Sequence, residues 1–327
     1  DDNLKPILII STQHKVIRQI ADIVAEQVTI AHQQNTITGM AIHVSRRLLF
    51  ISDSGGPEQA SFSPLSLSAD WLNDQLYILG EVQHPSGPRW QVASVCMHLT
   101  VTTMLNVSRC GLDGRGLTVA VAGFLYKPQN MQVDPYNGYL FWSINGGNKK
   151  GLYKLDLADI SNGVKHEVLP DIISEDPHLG AFTVDHTNSG LLVVNNTNNT
   201  VVFVSLDRNE ISNLRDNATV QPMFEGATSL VTANKIFYWT RDSTLYSEEE
   251  DPSKTHHFYH STWPFDDDGP FVSIAVELPS AQPVPVPVNP PIGVQAIMGP
   301  ELAKISWQVP HLLGHQGQYG GSFRGVI

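Results

Sequence analysis

One arrangement recurs along this chain and restricts its fold more than any other feature. An Asp begins a short polar turn, and six residues later a Leu opens a run of β-branched and aromatic residues: Asp70 to Leu76, Asp134 to Leu140, Asp185 to Leu191. The Asn and Gly residues between them suit a tight turn, because both tolerate the left-handed backbone region that turns use. Each unit therefore reads as strand, turn, strand. Two looser copies run from Ile42 to Asp53 and from Leu230 to Arg241, the second with a turn one residue shorter.

A second marker follows at a fixed distance. Phe141 to Leu155 and Leu192 to Leu206 are each 14 residues, whereas Tyr77 to Leu112 is 35, so this unit carries an insertion of 21 residues. The equivalent aliphatic or aromatic positions are Phe50, Tyr77, Phe141, Leu192 and Tyr238, separated by 27, 64, 51 and 46 residues. Repeats of about 40–50 residues built from short strands are the signature of a β-propeller. An antiparallel sandwich also alternates and turns at short intervals, but it does not require fixed offsets. The expected fold is all-β, a six-bladed propeller over residues 1–278. Its sixth blade would combine strands from both ends, Pro6 to Thr12 and Lys15 to Ile20 with Phe271 to Val276, which removes an exposed sheet edge. The first gap of 27 is too short for a four-stranded unit, so either that blade is reduced or residues after Pro57 are missing.

Composition narrows the function classes. Apolar residues make up 41% before glycine is counted, as expected of a folded chain. Lys and Arg number 20 against 32 Asp and Glu, a balance that argues against nucleic acid as a partner. The longest nearly apolar run, Leu117 to Tyr126, is too short to cross a bilayer as a helix. The start, Asp1-Asp2-Asn3, has no basic or apolar leader, so a signal peptide is expected to have been removed. The two cysteines, Cys96 and Cys110, lie in or at the end of the insertion. A disulfide across a long hairpin and two buried thiols are the two readings, and the disulfide is carried forward. Asn106, Asn195, Asn198 and Asn217 each open an Asn-X-Ser/Thr acceptor for glycan.

Catalytic and metal-binding patterns are weak. Ser52-Asp-Ser-Gly-Gly-Pro57 resembles the nucleophile signature of chymotrypsin-like proteases, which would make Ser54 the nucleophile. Too little chain precedes it to supply the His and Asp that this chemistry needs. His256, His257 and His260 lack zinc spacing, and Asp266 to Gly269 lacks the later Glu of a calcium loop. No phosphate loop is found, and neither a cofactor nor a metal is expected. In alternating strands Tyr238-Trp239 and Phe141-Trp142 are each expected to place one ring in the inter-blade core.

Phe237-Tyr-Trp-Thr-Arg241 resembles the Tyr-Trp-Thr-Asp repeat of the six-bladed propellers of the LDL receptor family, and Leu140-Phe-Trp-Ser is a variant of it. Leu112-Asp-Gly is similar to the tripeptide that follows in those blades. The family's Asp is kept only at Asp53; Gly80, Ile144, Asn195 and Arg241 stand in its place. Residues 279–289 form a Pro-rich connector that favours an extended, stiff geometry. Residues 290–327, with Trp307, resemble the opening strands of a fibronectin type III domain and are too few to complete one. This order of modules is similar to the ectodomain of the Sevenless/ROS class of receptor tyrosine kinases. The resemblance implies a non-catalytic module on the extracellular side of the plasma membrane. It also implies a secreted or cell-surface protein ligand, contacts with other fibronectin and propeller modules of the same receptor, and scope for self-association. Two other classes are compatible with such a fold: a propeller hydrolase or lyase with its site at the central channel, and a spacer.

Overall fold

The computed structural model describes residues 5–21, 27–55, 62–83, 85, 87–96, 118–124, 126–147, 150–157, 171–175, 178–186, 188–206, 211–214, 224–250, 259–262, 269–284, 292–298 and 303–308. Its first strands are β1 (Ile7–Ser11), β2 (Lys15–Ile20) and β3 (Gln27–His32), followed by the hairpin β4 (Ile37–His43) and β5 (Leu48–Asp53). The second blade is β6 (Phe62–Asp70), β7 (Gln75–Val82), β8 (Arg89–Cys96) and β9 (Thr118–Phe124). The third is β10 (Pro128–Asp134), β11 (Tyr139–Ile144), β12 (Gly151–Asp156) and β13 (Asp171–Ser174). The fourth is β14 (Leu179–Asp185), β15 (Gly190–Asn195), β16 (Thr200–Ser205) and β17 (Ile211–Asn213). The fifth is β18 (Ser229–Ala233), β19 (Ile236–Arg241), β20 (Thr244–Glu249) and β21 (Tyr259–Thr262). Strand β22 (Ser273–Glu277) then returns to the start of the chain and pairs antiparallel with β1, giving a terminal blade ordered β22-β1-β2-β3.

The count differs from the expected six blades. Among the described residues five sheets are four-stranded, and the position between the terminal and second blades is held by the two-stranded β4–β5. Only eight residues separate Asp53 from Phe62, fewer than two further strands of this length require. The short spacing between Phe50 and Tyr77 is thus a shortened unit. Strands β23 (Ile292–Met298) and β24 (Ala303–Gln308) form one antiparallel pair. A fibronectin sandwich is not formed among the described residues, and residues 309–327 lie outside them.

The repeat works because strand alternation sends successive side chains to opposite neighbours. Phe141 packs with Phe182 and Leu191 toward the fourth blade, while Trp142 packs with Tyr77 and Leu79 toward the second. Likewise Phe237 and Trp239 join Leu192, Val194 and Phe224, whereas Tyr238 joins Leu8, Ile10 and Ile274 of the terminal blade. The hairpin follows the same rule, with Leu49 in the layer shared with Ile9 and Val16 and Phe50 in the layer shared with Leu67 and Ile78. Trp239 lies between Phe224, at 4.3 Å, and Tyr246, stacked at 5.2 Å. Burying an aromatic ring of this size stabilises a fold by about 1.5–3 kcal/mol, so these layers hold the ring together.

Candidate functional site: the central channel and its turn face

The inner strands β4, β6, β10, β14, β18 and β22 surround a cavity of about 350 Å³. Much of its wall is hydroxyl and amide, from residues such as Thr38, Ser66, Gln132, Thr183, Thr228 and Ser229. Several of these polar groups are spent on joining one inner strand to the next. The Val133 amide of β10 donates to Ser68 Oγ of β6 at 2.8 Å, and Gln132 Nε2 donates to the Phe182 carbonyl of β14 at 2.7 Å. The Ile274 amide of β22 donates to Ser229 Oγ of β18 at 3.3 Å. Buried polar groups are tolerated when they are paired in this way.

At one end of the channel lie the turns that the sequence repeat encodes, and they share one geometry. Asp70 Oδ1 accepts from the Leu72 and Asn73 amides while its Oδ2 accepts from Asn73 Nδ2 at 2.9 Å. Asp134 and Asp185 bind Asn137 and Asn188 likewise, main-chain amide at 3.1 Å and side-chain amide at 2.7 Å. The repeat is therefore Asp-X-X-Asn, a spacing legible in the sequence beside the Asp-to-Leu interval. Burial raises the Asp70 carboxyl above its ordinary value, against the pull of its Asn73 and Leu72 donors.

Between these turns run links from blade to blade. His186 Nδ1 lies 3.1 Å from Asp134 Oδ1, and Asp134 is fully buried. Trp71 meets the His186 ring edge-on at 5.2 Å. In the hairpin, His43 Nε2 lies 3.3 Å from Asp74 Oδ1, and Arg46 binds the other oxygen of that carboxylate. His43 is buried, which lowers its pKa although Asp74 pulls it upward. The two titratable residues of the channel wall, Asp185 and His186, are thus engaged by Asn188 and Asp134.

Chain following β22 also reaches this end. Pro279–Ala281 form a short 3-10 turn, and Gln282 lies against β4: Nε2 donates to the Ile42 carbonyl at 2.7 Å, and the Val44 amide donates to Oε1 at 2.8 Å. Trp71 Nε1 donates to the Pro283 carbonyl at 2.9 Å. Gln282 lies outside the repeats and Trp71 is a variable position of the Asp70-X-X-Asn73 turn, so the sequence carried no signal for either.

The expected site residues fall as follows. Asn195 ends β15 and Asn198 lies in the β15–β16 turn, while Asn106 and Asn217 lie outside the described residues. Cys96 ends β8 and Cys110 lies outside the described residues, as do His256, His257 and Asp266 to Asp268. Ser54 follows β5, where its amide donates to the Thr36 carbonyl and Asp53 Oδ1 accepts from Gly55. Arg241, standing where the repeat's Asp would, is 3.8 Å from its neighbour Asp242. No group of three or more metal-ligating side chains occurs among the described residues.

Fold and channel together define a β-propeller whose inner strands are cross-linked by side chains. No family model matches the chain. It is 22% identical over 298 residues to the proto-oncogene tyrosine-protein kinase ROS of Gallus gallus, an alignment covering 84% of this chain and 11% of that protein. The chain thus spans about a tenth of the length of the curated relative it matches. Among solved structures, a chain of the nidogen/laminin complex superposes with a TM-score of 0.61 at 14% identity, over 84% of this chain and 98% of that one. A gluconolactonase of Xanthomonas campestris superposes with a TM-score of 0.45 at 14% identity, over 70% of this chain and 76% of that one.

Proposed function

We propose that this chain is an extracellular, non-catalytic piece of a receptor of the ROS/Sevenless class, serving protein-ligand binding, spacing of the ectodomain, or both. The observation that carries the reading is the alignment with the ROS kinase along most of this chain. The propeller likeness to a chain solved within a protein–protein complex is consistent with it.

In this reading residues 1–278 are the propeller, 279–289 the connector and 290–327 the beginning of a fibronectin module. Cys96 and Cys110 form a disulfide, as the oxidising extracellular setting allows. The test is secretion of the chain from cells behind a leader, with non-reducing mass mapping and titration against purified secreted and cell-surface proteins. The reading expects a Cys96–Cys110 cross-link and saturable binding of one such protein that alanine substitution at loop tips abolishes. Two free thiols in secreted material would count against the extracellular assignment. Saturable binding that no loop substitution alters would count against a propeller ligand site.

A further inference from the structure

The segment that follows the ring-closing strand is bonded to three separate parts of the propeller. Leu278 is buried in the layer between the fifth and terminal blades, with Tyr238 and Ile274. Pro279–Ala281 turn there, held by the Ala281 amide on the Leu278 carbonyl at 3.0 Å and the Gln282 amide on the Pro279 carbonyl at 3.1 Å. Gln282 then spans to the hairpin. Its amide group donates to the Ile42 carbonyl of β4 and accepts from the amide of Val44 just beyond that strand, the exchange a neighbouring strand residue would make. The next residue, Pro283, is fixed to the second blade by Trp71. Ser280, Ala281 and Gln282 line the channel wall at this end together with Trp71 and His186.

We propose that residues 278–283 are a clasp, docked on the turn face across the terminal blade, the hairpin and the second blade, that caps this mouth of the channel and sets the direction in which the connector leaves. Apart from the buried Leu278 and the Ile42 carbonyl of β4, its contacts lie in the clasp and the turns, and none of them replaces a strand-pairing bond within a blade. The clasp therefore opens as a local unit while the blades stay folded. Its anchor is tied deeper into the ring, because Trp71 packs on His186 and His186 bonds Asp134 of the third blade. The orientation of whatever follows the connector is then governed by Gln282 and Trp71, in addition to the stiffness of alternating proline. This inference does not depend on the receptor reading.

Amide hydrogen exchange on the whole chain tests it, comparing wild type with Gln282→Ala and with Trp71→Phe, which keeps a ring against His186 and removes the donor. The amides of Val44, Ala281 and Gln282 should be protected in the wild type. Either variant should speed their exchange about tenfold or more, with β10–β16 unchanged. Small-angle scattering of the double variant should show a broader distribution of shapes. Free-chain exchange of Ala281 and Gln282 in the wild type would overturn the clasp, as would unaltered exchange in both variants. Uniform acceleration in every blade would overturn local opening, and accelerated exchange with unchanged scattering would overturn the orienting role.

Discussion

His186 of the fourth blade holds its Nδ1 3.1 Å from Oδ1 of Asp134, a fully buried carboxylate that opens the turn of the third blade. One Asp thus serves two scales at once, closing its own Asx turn on Asn137 and bonding the next unit of the ring. His43 and Asp74 form a second such link, between the hairpin and the second blade. Ser68, Gln132 and Ser229 repeat the device along the channel wall. Apolar layers fill the space between blades; these bonds fix the register of one blade on another.

Replacing Asp134 with Ala should therefore cost more than replacing Asp185. Asp185 closes an equivalent turn but is partly exposed, and water can take over its donors. Leaving the Asn137 donors and His186 without a partner inside the fold should cost about 2–3 kcal/mol, against about 1 kcal/mol at Asp185. Urea unfolding of both variants at neutral pH checks the order. A double-mutant cycle with His186→Ala should return a coupling of about 1 kcal/mol or more if the pair acts as a unit.

Glycan should be attached at Asn198 in preference to Asn195. The two acceptors overlap in one turn, yet Asn195 Oδ1 already accepts the Thr197 and Asn198 amides, whereas Asn198 is exposed. Asn196 and Asn199 are occupied as well, binding the Gly226 and Glu225 amides. Glycan attaches through Nδ2, which at Asn195 belongs to a partly buried residue ending β15, so exposed Asn198 is the more accessible acceptor. Site mapping of secreted protein by mass spectrometry should find Asn198 occupied and Asn195 bare.

The repeat made much of this fold legible. Asp70, Asp134 and Asp185 announced three turns, and the 27-residue gap before Tyr77 marked a unit too short for four strands, whether reduced or missing residues after Pro57. The strand content of that unit was settled only by pairing, because Leu48 to Asp53 reads alike as the second of two strands or of four. One ring of Phe141-Trp142 was expected between blades; alternation in a blade flanked on both sides buries both, one in each layer. What stayed hidden was long-range chemistry. Gln282 bonds β4 across about 240 residues, and nothing local to an ordinary Gln after a proline turn marks it. His186 likewise reads as one variable residue within a turn until its blade is placed beside Asp134.

Restoring the repeat's acidic residue at position 241 should change little. Arg241 has a 3.8 Å approach to Asp242, which is largely exposed, so Arg241→Asp should shift stability by no more than about 0.5 kcal/mol. Two residues earlier, Trp239→Ala should cost about 3–5 kcal/mol, since it empties a fully buried space between Phe224 and Tyr246. Thermal or urea unfolding of the two variants separates the packing part of this motif from its terminal charge.

Mild acid should weaken the fold through His43. Burial holds its pKa below the ordinary histidine value, so an unfolded chain takes up a proton at a pH where the folded chain does not. Its contribution is complete above about pH 6.5 and is lost as pH falls from there toward the folded-state value. The chain has 13 histidines, so the informative quantity is the difference between wild type and His43→Gln. Stability should fall less steeply between pH 7 and the acid side in the variant, with Asp74 still bonded to Arg46.

The reduced blade makes its own demand on packing. Inner strand β4 lies so near β6 that a Cβ added at Gly39 would stand 3.0 Å from the Leu67 nitrogen and the Ser66 Cα, both main-chain atoms. A flexible side chain could move aside; a strand of the second blade cannot without shifting its bonds to β7 and Val133. Gly39→Ala should therefore destabilise by about 1–3 kcal/mol, in the range of other overpacked sites. Gly146, with nothing within 4 Å of its added Cβ, is the matched control and should tolerate Ala within about 0.5 kcal/mol. Exchange measurements on Gly39→Ala should show the loss concentrated in β4, β5 and β6. If protection fell equally in β14 to β16, the hairpin would be coupled to the far side of the ring as tightly as to its neighbours.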